Sequence, residues 1–161
     1  MWLANPWLYA VGDVNGISLL DSTAFSQASV AVGSILGHEG RFDSRWIPRS
    51  VHTVPPVATV GWTQQEAVAE GFDCIVASDD IRLVSDDERS VIDPEPTFLK
   101  IVVDAGSRHL LGCLVVGDHA SVIVNIATIA MRSGLSVDNF RQMPLSQPAA
   151  SDALMSTLRK L

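Results

Sequence analysis

Two apolar runs separated by four residues constrain this chain more than any other feature. Residues 98–104 and 109–117 are dominated by Val and Leu, and only Ala105-Gly106-Ser107-Arg108 joins them. A connection that short is hairpin-length, so the two arms pair as neighbouring strands. Asp118 follows directly and is placed to cap a helix. That helix carries Val122, Ile123, Ile126, Ala127, Ile129 and Ala130 on its buried faces and ends at Ser133-Gly134. A helix apolar around more than half its circumference is deeply packed or sits at a subunit interface.

The segments before the hairpin extend this pattern upstream. Residues 57–60 (VATV) read as a short strand. Thr63-Gln64-Gln65-Glu66 has capping-box spacing, which predicts a helix running to Glu70 and stopping at Gly71. Residues 74–77 and 81–84 form either one irregular strand or two short ones. Asp86-Asp87-Glu88, with Pro94 and Pro96 beyond, reads as an exposed loop. After the apolar helix, a helical turn over 136–140 and a last helix over 151–160 complete the chain, with Ser151-Asp152 as N-capping residues. From residue 57 onward the fold class is therefore α+β, an antiparallel sheet with helices on one face.

The first 56 residues have a different character. Residues 2–14 read as an apolar strand that stops at Gly12-Asp13, where an ordinary turn explains the dipeptide. A helix follows over 21–36, with Asp21 and Ser22 as caps and Ala24, Ala28, Ala31, Val32 and Ile35 as its apolar face. Gly37 and Gly40 close it. Residues 41–56 are charged and aperiodic, and Pro48, Pro55 and Pro56 confine any strand there to an edge. They form a linker or an extended connection, with a domain boundary between about 40 and 50.

Composition excludes several function classes. The 161 residues are 47% hydrophobic and 18% charged, so a packed core is available. The net charge is −7, and an acidic chain lacks the basic stripe that a phosphate backbone requires, so no nucleic-acid partner is expected. No apolar run approaches the ~18–20 residues needed to span a bilayer, and no basic stretch at Met1 reads as a signal peptide. Cys74 and Cys113 lie far apart, which fits a reduced, cytoplasmic compartment better than a disulfide scaffold.

Motifs add no reaction. The sequence has no G-x-G-x-x-G, phosphate-binding P-loop, H-E-x-x-H or G-x-S-x-G. His38, His52, His109 and His119 fall in separate elements with no second ligand at metal spacing, so no metal site is expected. Cys74 and Cys113 sit in predicted strands, where core packing is their role.

Four blocks taken in order go further. Trp7-Leu8-Tyr9-Ala10-Val11-Gly12-Asp13-Val14-Asn15-Gly16 resembles the second flavin-binding motif of the FAD-dependent pyridine nucleotide-disulfide oxidoreductases. Val51-His52-Thr53-Val54-Pro55-Pro56-Val57-Ala58-Thr59-Val60-Gly61-Trp62-Thr63, with Glu66-Ala67 and Gly71, resembles the start of that family's dimerisation domain. Phe98-Leu99-Lys100-Ile101-Val102-Val103-Asp104, Leu111-Gly112, Val115-Val116-Gly117 and Ala120 are similar to its hairpin and following helix. Gln147-Pro148-Ala149-Ala150-Ser151-Asp152-Ala153-Leu154 falls where the family has a His-Pro-Thr-x-Ser-Glu signature.

The resemblance implies a division into three parts: residues 1–40 as a remnant of the FAD-binding domain, 41–56 as linker and 57–161 as dimerisation domain. It implies that Asp13 hydrogen-bonds the flavin ribityl chain in a full-length protein, with Gly12 allowing close backbone approach. Family members are about three times longer, and the nucleotide-binding and redox-disulfide regions of their N-terminal part have no counterpart in these residues. FAD is thus expected in a full-length parent and not in this chain alone. The expected partner is a second copy, in a homodimer.

Two departures bear on activity. Asp21-Ser22 stand where the family often has Thr or Thr-His, and a carboxylate there would repel an anionic flavin. The family's catalytic His and its orienting Glu are replaced by Gln147 and Asp152, and glutamine takes up no proton at neutral pH. The chain is accordingly expected to carry no catalytic residue. Its expected function is that of a dimerisation-domain fragment of a flavin-dependent oxidoreductase. The alternative is a free-standing homodimeric interaction module that has lost catalysis.

Overall fold

The structure, a computed structural model, describes residues 8–82 and 96–161. The beginning of the strand expected over 2–14, and the acidic loop at Asp86-Asp87-Glu88 with Pro94, lie outside the described residues. The chain divides into two compact units, Met1–Ile47 and Pro48–Leu161.

The second unit is built on one five-stranded sheet. Its strands are β1 (Arg49–Val51), β2 (Val57–Gly61), β3 (Cys74–Arg82), β4 (Pro96–Asp104) and β5 (Leu110–Val116). Their order is β1-β2-β5-β4-β3 and every pairing is antiparallel. The β4–β5 hairpin is the predicted one, with Ile101 opposite Cys113 and a bulge between Val102 and Val103. The runs at 74–77 and 81–84 belong to one strand as far as Arg82. Pro96 opens β4 opposite Arg82, instead of belonging to a loop. The first position of a strand tolerates the missing N–H. β1 is a three-residue edge strand inside the segment read as an extended connection, where the prolines permit only an edge.

Helices α2 (Gln64–Ala69), α3 (Ala120–Arg132), α4 (Val137–Arg141) and α5 (Ser151–Leu158) complete this unit. α3 packs on β2 and β5, and α5 on β3 and β4. The sheet face they cover presents Ala58, Val60, Leu99, Ile101, Val103, Cys113 and Val115, all buried. Val102 points the other way by the ordinary alternation of β4, and Leu111 does so because it is the unpaired residue of the bulge in β5. They pack with Ala67 of α2 and with Trp62, Phe72, Cys74 and Val76.

Local signals decide several helix ends. Thr63 and Glu66 form both bonds of the capping box, at 3.2 Å and 2.8 Å. Gly134, with φ at +61°, ends α3 as its amide bonds the Met131 carbonyl and that of Leu135 bonds Ala130. Two caps differ from expectation. His119, in the left-handed region at φ +60°, precedes α3, so Asp118 is not its cap. The Gly117 carbonyl accepts from the Ala120 amide and turns the chain there. At α5 the cap position is Ala150 and no side chain caps it. Asp152 accepts instead from the Ala149 amide at 3.1 Å.

Among its described residues the first unit contains one α-helix, α1 (Asp21–Ile35). Residues 12–15 form a 3-10 turn and not the end of a strand, since Gly12 and Gly16 have φ near +70° and the Gly16 amide bonds the Asp13 carbonyl. Leu20 is the cap position of α1. Asp21 is its first helical residue, with the carboxylate accepting the Ser22 amide at 2.6 Å.

Candidate functional site

The Gly12–Asn15 turn is held from one side chain. Gln27, 1% exposed on α1, accepts from the Gly12 amide and from Asn15 Nδ2, both at 2.7 Å on Oε1. Asn15 in turn accepts the Ile17 amide on Oδ1 at 2.9 Å. One helical turn earlier, buried Thr23 bonds the Ser18 hydroxyl at 3.1 Å. Gly12 is buried at φ +74°, and a Cβ there would lie 3.3 Å from the Ala24 Cβ, so glycine suits the position both sterically and conformationally. Asp13 is exposed, and among the described residues no donor reaches its carboxylate. The missing side chain at Gly12 lets the turn pack against Ala24 of α1, and the exposed Asp13 carboxylate is left able to accept hydrogen bonds.

The face that α1 buries is polar. Thr23 and Gln27 are its fully buried side chains, while Ala24, Ala28 and Ala31 are half-buried. Val32 and Ile35, expected on the apolar face, are 54% and 65% exposed, beside Phe25 at 77% and Leu36 at 67%. Sequence reasoning missed Asn15 and Gln27. The signal was available in the polar residues Thr23 and Gln27 one helical turn apart.

The second location is the loop before α5. Gln147 is exposed, precedes a cis bond to Pro148, and makes no hydrogen bond to Asp152. Asp152 Oδ2 takes the Ala149 amide, while Oδ1 is buried without a partner among the described residues. No base, nucleophile or paired acid is assembled there. The four histidines are all exposed, and no cluster of three or more His, Cys, Asp or Glu side chains exists among the described residues. Cys113 is buried, and that burial pushes its thiol up to about 12. Cys74 is also raised, first by burial and then by the Asp73 and Asp104 charges. Neither is a reactive thiolate.

The third feature is the outer side of α3. Ala120, Ile123, Val124, Ala127, Ala130 and Met131 face the sheet. Val122 and Ile129, expected to be buried, are 48% and 67% exposed, with Ile126 half-buried between them. One sheet cannot cover both stripes of this helix.

Comparison with known proteins matches this architecture. The family described as "Pyridine nucleotide-disulphide oxidoreductase, dimerisation domain" matches over residues 47–158. The dihydrolipoyl dehydrogenase of Mycobacterium tuberculosis is 34% identical over 96% of this chain and 33% of its own length. Dihydrolipoyl dehydrogenase 2 of Haloarcula marismortui is 30% identical over 91% of this chain and 31% of its own. Among solved structures, LpdA from M. tuberculosis superposes with a TM-score of 0.80 at 23% identity, covering 94% of this chain and 33% of that one. The HOCl-induced flavoprotein disulfide reductase RclA from Escherichia coli, as its Cu(II) complex, gives 0.77 at 23%, covering 95% and 35%. The chain spans about a third of the length of the curated relatives it matches. With its antiparallel sheet and covering helices matched almost end to end by that model, the chain belongs to the pyridine nucleotide-disulfide oxidoreductase family, in its dimerisation region.

Proposed function

We propose that this chain works as the dimerisation part of a flavin-dependent pyridine nucleotide-disulfide oxidoreductase and is not catalytic alone. Residues 57–161 are the dimerisation domain, 41–56 a linker whose β1 joins that domain's sheet, and 1–40 a remnant of the FAD-binding domain. The observation that carries this reading is the inverted α1, which buries Thr23 and Gln27 and leaves Phe25, Val32, Ile35 and Leu36 open. A helix in that condition lacks an apolar layer that a longer parent supplies. The relatives' threefold greater length supports the same reading.

The residues of the turn fit FAD. Gly12 lets the turn pack closely on Ala24, and the exposed Asp13 carboxylate can accept from the hydroxyls of a ribityl chain. Bound in a full-length parent, FAD supplies the electron-transfer chemistry. What this chain contributes is one hydrogen-bond acceptor on a turn held by Gln27. Gln147 and Asp152 supply no acid–base pair. Asp21 already occupies the Ser22 amide, so part of the donor capacity at the start of α1 is spent.

The partner is a second copy, docked through the Val122, Ile126 and Ile129 stripe of α3. A cytoplasmic location fits the two free cysteines. The test is light scattering combined with absorbance on the purified chain. A homodimer with no flavin absorbance is expected; a monomer at micromolar concentration, or near-stoichiometric co-purified FAD, overturns the reading.

A further inference from the structure

Gln27 and the turn it holds carry one inference beyond the family assignment. The orientation of the Gln27 amide is determined by its neighbours. Gly12 offers a main-chain N–H, which can only donate, and Asn15 commits its carbonyl oxygen to the Ile17 amide, leaving its own NH2 to face Gln27. Both donors therefore require the Gln27 oxygen, and Nε2 is left buried without a partner among the described residues. A flipped amide would set its NH2 against two donors, so the side chain keeps this orientation although its own donor goes unmet.

The two clamped points are Gly12 and Asn15, and Asp13 lies between them. The bond from the Gly16 amide to the Asp13 carbonyl closes the turn from its other side. The Asp13 carboxylate has no partner among the described residues, so the backbone that carries it sets the Cα–Cβ direction from which it is offered. We propose that Gln27 is the positioning residue of the flavin-contacting turn: by accepting from Gly12 and Asn15 it fixes the backbone on both sides of Asp13, and so fixes where the carboxylate is offered to ligand hydroxyls. This rests on the reading of Asp13 as the flavin contact.

The test is amide hydrogen exchange and backbone 13C shifts on the 161-residue chain without flavin, comparing the parent with Gln27→Met, Gln27→Glu and Asn15→Ala. Methionine keeps the length and removes the oxygen that accepts both bonds. Glutamate restores that acceptor and lacks the unmet donor. Gln27→Met is expected to speed Gly12 exchange at least ~10-fold and to move the Asp13 carbon shifts toward unstructured values, while α1 amides change less than about twofold. Gln27→Glu is expected to return both signals to the parent's. Asn15→Ala is expected to leave Gly12 protected, because the Gly12–Gln27 bond remains. Unchanged Gly12 exchange in Gln27→Met overturns the proposal. So does equal loss of protection in Asn15→Ala, and if Gln27→Met does not fold, the Gln27→Glu and Asn15→Ala results decide by the same criteria. Because no flavin is present, failure here is distinct from failure of the flavin reading, which the absorbance measurement above decides separately.

Discussion

Gly112→Ala is the substitution whose cost can be worked most directly from the structure. Gly112 faces Gly61 across the β2–β5 ladder, and a Cβ at 112 would lie 1.9 Å from the Trp62 carbonyl oxygen and 2.9 Å from its carbon. These are backbone atoms, so no rotamer relieves the overlap. A carbon approaches a carbonyl oxygen to about 3.3 Å, so the strands must separate by roughly 1.4 Å at this point. The Trp62 amide, now 2.9 Å from the Leu111 carbonyl, would then fall out of hydrogen-bonding range. Leaving that pair unmade costs about 1–3 kcal/mol, and loosening the Trp62, Phe72 and Ala67 cluster adds about 1 kcal/mol. A loss of about 2–4 kcal/mol lowers the melting temperature by roughly 8–16 °C in a unit of this size. Differential scanning calorimetry measures it, with Gly106→Ala as the control. A Cβ at 106 meets nothing closer than 3.7 Å and the backbone there is not left-handed. If Gly112→Ala melts within about 3 °C of the parent, the close approach does not constrain the sheet and the reasoning fails.

Other expectations follow from the same structure. The Lys160 hydrogen bond, 2.7 Å from Asp79, holds the Asp79 carboxyl below the ordinary aspartate range, opposed by partial burial. Its stabilisation is complete above the unfolded value of ~3.9 and is lost as pH falls through the lower folded value. The melting-temperature gap between the parent and Asp79→Asn should therefore be widest near neutral pH and close in acid, and a gap undiminished at about pH 2 contradicts this assignment. Cys113 should resist a disulfide reagent until the chain is unfolded, since burial raises its thiol to about 12; rapid native titration of both cysteines would refute this. If the proposed homodimer forms, Ile129→Glu should leave only monomers in light scattering without lowering helix content, because Ile129 is 67% exposed within one chain. Gln147→His should create no disulfide reductase activity with reduced nicotinamide cofactor and added FAD. An exposed residue with no bond to Asp152 leaves a histidine there unoriented, and measurable turnover would overturn the non-catalytic reading.

The features legible in the sequence are those fixed by neighbours along the chain. The four-residue link between the two Val/Leu arms specified the β4–β5 hairpin, and Thr63-x-x-Glu66 specified the start of α2 with both capping bonds. The glycine after α3 specified its end. In each case the partners lie within a few residues, and pattern alone brings them together. The family resemblance likewise rested on blocks read in order, and residues 47–158 match the dimerisation model. Tertiary structure decided what depends on distant partners. Whether Val32 and Ile35 or Thr23 and Gln27 face inward on α1 depends on what lies against the helix, and amphipathic spacing cannot say which stripe is covered. Gln27 reaches Gly12 across fifteen positions, and Gly112 meets Trp62 only because β2 and β5 pair. The register that brings Gly112 to Trp62 comes from packing of the whole sheet, so no local window of sequence contains it.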